Sequence, residues 1–185
     1  MGPYYTVTTM TQRKSPIRVA QDHEKRYAGA DKLATEAVVN LLRTESLVSA
    51  ALTGILRRYG LSLATFNVLM ILEGAGRPLC PYEIGERLLV TRGTVTGLLD
   101  SLEKQGLVTR GAHPEDRRML LIEATARAQK LLAAVLPEHF PAEAELVSVL
   151  SAREKETLVR LLGKIQGYLS GRSEPPEPAA VRRLR

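Results

Sequence analysis

Cysteine is almost missing from this chain of 185 residues, and the lone Cys80 rules out an intrachain disulfide or a multi-cysteine metal site. Long apolar runs are missing too, since nothing approaches the roughly 20 consecutive residues that span a bilayer. No membrane partner is therefore expected. Charges at Arg13, Lys14, Arg18, Asp22, Glu24, Lys25 and Arg26 interrupt the first thirty residues and exclude the apolar core of a signal peptide. The expectation is a soluble, cytoplasmic protein. His23, His113 and His139 lie on separate segments without metal-ligand spacing, so neither metal nor cofactor is expected. There is no phosphate-cradling glycine loop, nucleophile elbow or paired catalytic set, which disfavours an enzyme.

What is present is globular in character: 44% of residues are hydrophobic, with charges of both signs interspersed. A net charge of +6 suits a polyanionic partner, and its placement is uneven. Residues 1–32 hold six Lys/Arg against three Asp/Glu, and residues 171–185 hold four against two, so most of the surplus lies at the ends. Residues 1–30, including Tyr4, Tyr5, Arg13, Lys14 and Arg18, lack sustained periodicity and read as a flexible basic arm. Residues 171–185, GRSEPPEPAAVRRLR, read as a disordered Pro/Arg tail that cannot continue a helix.

Between these ends the pattern is helical. A first helix is predicted over residues 32–58, with Gly60 beyond its end, and Ser62 caps a second carrying Leu63, Phe66, Leu69 and Met70. Ala126 opens a helix to about Leu136, which Pro137 and Pro141 should kink or divide. Ser151 and Glu154 form a capping box for a last helix through Leu158, Leu161, Leu162, Ile165 and Leu169. Long terminal helices with apolar stripes ask for a partner, and a homodimer is predicted. Residues 31–60 and 126–170 are assigned to that helical dimerisation region.

Residues 61–125 carry the richest signal. PYEIGERLL meets a break at Val90; TRGTVTGLLDSLEKQG follows, and then the alternating LVTRGAHPEDRRMLLIEAT. The order is helix, turn, helix and two-stranded hairpin, which defines a mainly α winged helix-turn-helix with a small β-hairpin wing and N- and C-terminal dimerisation helices. Pro81 suits the first turn of its helix, leaving Cys80 at the cap, where the helix dipole could lower the thiol pKa; a small capping residue is the plainer reading. Val95, Leu98, Leu99 and Leu102 fall at i, i+3, i+4 and i+7 and should face the core.

The opposite side then presents Arg92, Thr94, Thr96, Ser101 and Lys104 to double-stranded DNA, with Thr91 and the free N–H groups behind it facing a phosphate. Arg117 and Arg118 at the hairpin tip can enter a narrow minor groove. Gly93 and Gly97 read no base edge, and each costs a helix interior roughly 1 kcal/mol against alanine. Their presence keeps a second function open, a winged-helix protein-interaction module without sequence-specific DNA binding.

The run TVT…LLD-x-LE-x-x-GLV together with the PEDRR wing resembles the multiple antibiotic resistance regulator (MarR) family, most closely over residues 61–132. The resemblance implies a dimeric transcription regulator, most often a repressor, that binds an inverted repeat and is released by a small-molecule effector. It further implies that Asp116 orders the wing tip, and that Asp100 pairs with a wing arginine, here Arg118. Leu89 departs from the family, where glycine is frequent at the turn.

Overall fold

The computed structural model describes residues 15–113 and 119–171. In chain order the elements are α1 (His23–Arg26), α2 (Lys32–Leu56) with a 3-10 turn Arg57–Tyr59, α3 (Leu63–Ala75), α4 (Pro81–Leu88), α5 (Arg92–Lys104), β1 (Val108–Ala112), β2 (Leu120–Ala124), α6 (Ala126–Leu146) and α7 (Ala152–Ser170). The chain divides into two compact units, Met1–Phe140 and Pro141–Arg185. Among the described residues no helix is long and apolar enough to cross a membrane.

Capping chemistry decides most boundaries. Asp31 accepts from the Ala34 N–H, Ser62 from that of Thr65, Thr91 from that of Thr94 and Ser151 from that of Glu154. Gly60 and Gly76 end their helices at φ 71° and 61°, a conformation that disfavours a β-carbon.

The core of the first unit gathers Leu56, Phe66, Leu69 and Leu72 with Ile84, Val95, Leu99 and Leu102, and closes on Val108, Ile122, Leu132 and Val135. Leu98 is only half-buried at its edge, against the expectation that it faces inward fully. β1 and β2 pair antiparallel with Arg110 opposite Ile122. Leu79 adds a bridge to this hairpin, exchanging both backbone hydrogen bonds with Ile122 at 3.0 and 2.8 Å. The loop before α4 is thereby fastened to the base of the wing, which fixes the helix-turn-helix against the hairpin.

Two expectations are corrected. The N-terminal arm is not free as far as residue 30, because from Ser15 onward the chain is held along α2. Asn40 accepts from the Ile17 N–H through Oδ1 (2.7 Å) and donates to its carbonyl through Nδ2 (2.9 Å). Glu36, itself buried, accepts from Arg18 at 2.7 Å and from the Val19 N–H at 3.1 Å. The Arg18 guanidinium foremost, aided by the Val19 N–H, holds the Glu36 carboxyl below its usual range. Arg18 is thus an anchor to α2.

The second correction concerns the end of α6, which is not divided at Pro137 or Pro141 but continues to Leu146. A proline removes one helix hydrogen bond and crowds a carbonyl a turn earlier. Here polar groups beside the ring meet partners outside the helix: Tyr59 Oη lies 3.2 Å from the Ala134 carbonyl and donates to Glu138 Oε1 at 2.5 Å. Arg58 pairs with the same Glu138. His139 is buried with its ring 4.3 Å from Phe66, and this packing holds the proline-containing segment against α3.

Candidate nucleic-acid interface

The site is built on α4, the turn, α5 and the wing. α4 and α5 approach closely because Gly85 has no side chain: a β-carbon there would lie 3.2 Å from Val95 Cγ2. α5 buries Val95, Leu99 and Leu102 and exposes Arg92, Gly93, Thr94, Thr96, Gly97, Ser101 and Lys104. Arg92 and Lys104 have no ion-pair partner among the described residues, so both cations face solvent at opposite ends of the helix.

The threonines are less free than their exposure suggests. Thr91 caps α5 by accepting from the Thr94 N–H at 3.3 Å, and the two hydroxyls lie 3.0 Å apart. Thr96 Oγ1 donates to the Arg92 carbonyl at 3.1 Å, which commits its proton and leaves it an acceptor towards any ligand. Ser101 Oγ accepts from Gln105 at 3.4 Å. Added β-carbons at Gly93 and Gly97 would meet nothing closer than Thr91 Oγ1 at 3.9 Å, so the fold itself does not require glycine at either position.

Asp116, Arg117 and Arg118 lie outside the described residues, and so does the expected partner of Asp100. Among the described residues the arginine placed on Asp100 is Arg110, in β1, with Nη2 2.5 Å from Asp100 Oδ1 and Nη1 3.5 Å from Glu103 Oε2. Sequence reasoning passed over Arg110. Its signal was two carboxylates at i and i+3 near the end of α5, with a strand returning beside them.

Cys80 is buried, and burial pushes its thiol up from the usual range, with the nearby Glu83 carboxylate adding to the shift. Glu83 accepts from the Cys80 N–H at 2.8 Å and pairs with Arg77 at 2.6 Å, which holds its own carboxyl low. The dipole effect is therefore outweighed, and the thiolate reading is replaced by that of a buried cap. Peroxide should leave a DNA complex of this protein unchanged, and an alkylating reagent counted by mass spectrometry should label Cys80 only on unfolding. Fast labelling of the folded chain would contradict this. Among the described residues no cluster of His, Cys, Asp or Glu could hold a metal ion.

A short helix, a tight turn, a second helix with exposed cations and a hairpin bridged back to the helical pair define a winged helix-turn-helix of the DNA-binding class. The model of the MarR family matches residues 59–119. The transcriptional repressor YetL of Bacillus subtilis (strain 168) is 33% identical over 80% of this chain and 90% of its own. The C80S mutant of MarR from E. coli, solved in complex with operator DNA, is 27% identical with a TM-score of 0.64 over 68% of this chain and 89% of its own. CouR of Rhodococcus jostii RHA1, solved with p-coumaroyl-CoA, shares the fold at 23% identity and a TM-score of 0.66, covering 74% of this chain and 95% of its own. The chain belongs to the MarR family of transcriptional regulators, and its relatives are regulators rather than enzymes.

Proposed function

We infer that the protein is a homodimeric, cytoplasmic repressor that binds an inverted repeat in double-stranded DNA and is released by a small-molecule effector. α5 enters the major groove, with Arg92, Thr94, Thr96, Ser101 and Lys104 towards bases and flanking phosphates and Thr91 at the helix start. Arg117 and Arg118 reach the minor groove from the wing, Asp116 orders its tip, and Asp100 is held in register by Arg110. The observation that carries this reading is the exposed face of α5, where Arg92 and Lys104 stand without ion-pair partners among the described residues while the opposite face is core. Residues 61–125 form the DNA-binding domain; residues 31–60 and 126–170 form the dimer contact.

The test is sequence selection from random duplexes by the purified full chain, followed by gel shifts at several salt concentrations. A selective complex is expected. Arg118→Ala should lower the slope of log affinity against log salt by about 1 for each phosphate that is no longer neutralised. An unchanged slope and affinity would remove the wing from the interface. Absence of any selective complex would favour the interaction module, for which the side-chain-poor face at Gly93 and Gly97 is the supporting feature.

A further inference from the structure

The turn between α4 and α5 carries an exposed apolar residue that folding does not call for. Leu89 ends α4 at φ 55° and ψ 41°, and among the described residues it alone has a positive φ without being glycine. That backbone region is disfavoured for any residue with a β-carbon. Burial does not compensate, since the Leu89 side chain is 70% exposed. Tyr82, at the start of α4, is 51% exposed, and Val90 beside Leu89 is exposed as well. With Gly85, Glu86 and Arg92 they line an open cavity of about 370 Å³ between α4 and the start of α5. Strain kept at an exposed apolar side chain marks a surface that function has set.

Continuity identifies what covers it. Leu89 directly precedes Val90 and the Thr91 cap, so this surface extends the edge of α5 proposed for the major groove, and the first helix of such a pair crosses the DNA backbone. Tyr82 and Glu86 fall at i and i+4 along one side of α4, and Leu89 follows at its left-handed cap, where all three line the same cavity. The Glu86 carboxylate on that stripe repels phosphate oxygens, which leaves carbon as the partner of its apolar neighbours. In the major groove the apolar group on a base edge is the thymine 5-methyl. We propose that Leu89, backed by Tyr82, receives a thymine 5-methyl at the flank of each half-site, so that the turn itself selects sequence; the assignment rests on the DNA-binding reading of the proposed function.

The probe is a duplex selected by the full chain from a random library, with each thymine replaced in turn by deoxyuridine, which lacks only the methyl. At one thymine per half-site the replacement should weaken the wild-type complex about three- to fivefold, the effect of one buried methyl group, and should not affect Leu89→Gly. Glycine takes positive φ freely, so Leu89→Gly should melt no lower than the wild type while binding the thymine duplex more weakly with an unchanged salt slope. Leu89→Asn, which also tolerates this backbone, should bind like Leu89→Gly. Equal deoxyuridine penalties in the wild type and Leu89→Gly, or full affinity in Leu89→Gly, would overturn the proposal and leave the DNA reading standing. A wild-type chain that selects no sequence would overturn both.

Discussion

A chain carrying Leu161→Glu and Ile165→Glu will run as a monomer in light scattering, and its operator affinity will fall roughly 10²- to 10⁴-fold. α7 has no buried residue, yet Leu158, Leu161, Ile165 and Leu169 recur at i, i+3, i+7 and i+11 along it. Leu161 and Ile165 are 47% and 46% exposed. An apolar side chain removed from water contributes about 1.5–3 kcal/mol when fully buried, and a two-fold axis doubles every such burial. Two carboxylates from each copy would be desolvated in that seam without partners, which is enough to part the copies. The fall in affinity follows from losing the second half-site, whose binding is intramolecular only in a dimer. Because the core of the first unit ends at Val135 and Leu136, its helical signal and melting transition should survive, which separates dissociation from misfolding. An unchanged mass would move the interface away from α7, and an unchanged affinity in a monomer would remove the inverted repeat from the proposed function.

The readable parts of this fold are local. Ser62, Thr91 and Ser151 cap helices through bonds to residues three positions on, and Gly60 and Pro81 act on their own backbone, so each leaves its mark within a few letters. The hidden parts join distant segments through polar groups with no period. The Asn40 amide on Ile17 spans 23 residues, Tyr59 reaches Glu138 across 79, and Leu79 finds Ile122 through backbone alone. Arg110 shows the same limit inside the interface: Asp100 is legible as a carboxylate needing an arginine, but only the path of β1 brings Arg110 beside it. Pro137 shows a local rule overridden, because the packing of His139 on Phe66 and the Tyr59 hydrogen bond to Glu138 hold the helix from outside where its own bond is missing. At Leu89 sequence and structure agree on the anomaly: leucine occupies a turn position where the family resemblance leads one to expect glycine, and the backbone there takes the left-handed conformation glycine favours.

Arg110→Ala should weaken operator binding ten- to a hundredfold while hardly moving the melting temperature. Asp100 and Glu103 are each roughly half exposed, so their pairing with Arg110 contributes at most about 1 kcal/mol to folding. Against DNA the balance differs. Without the guanidinium, two carboxylates on α5 face a polyanion, and a unit charge about 6 Å from a phosphate at an effective dielectric near 40 is opposed by roughly 1.4 kcal/mol. One such repulsion is worth about tenfold in affinity and two about a hundredfold, which spans the stated range. Adding Asp100→Asn to Arg110→Ala removes the nearer carboxylate and should recover most of the affinity, a coupling that a double-mutant cycle measures directly by fluorescence anisotropy. If Arg110 instead touches a phosphate, the salt slope falls by about 1 and Asp100→Asn gives no recovery. A drop in melting temperature large enough to account for the weaker binding would make Arg110 a folding residue, and would return the shielding of α5 to the Asp100–Arg118 pair that the family resemblance implies.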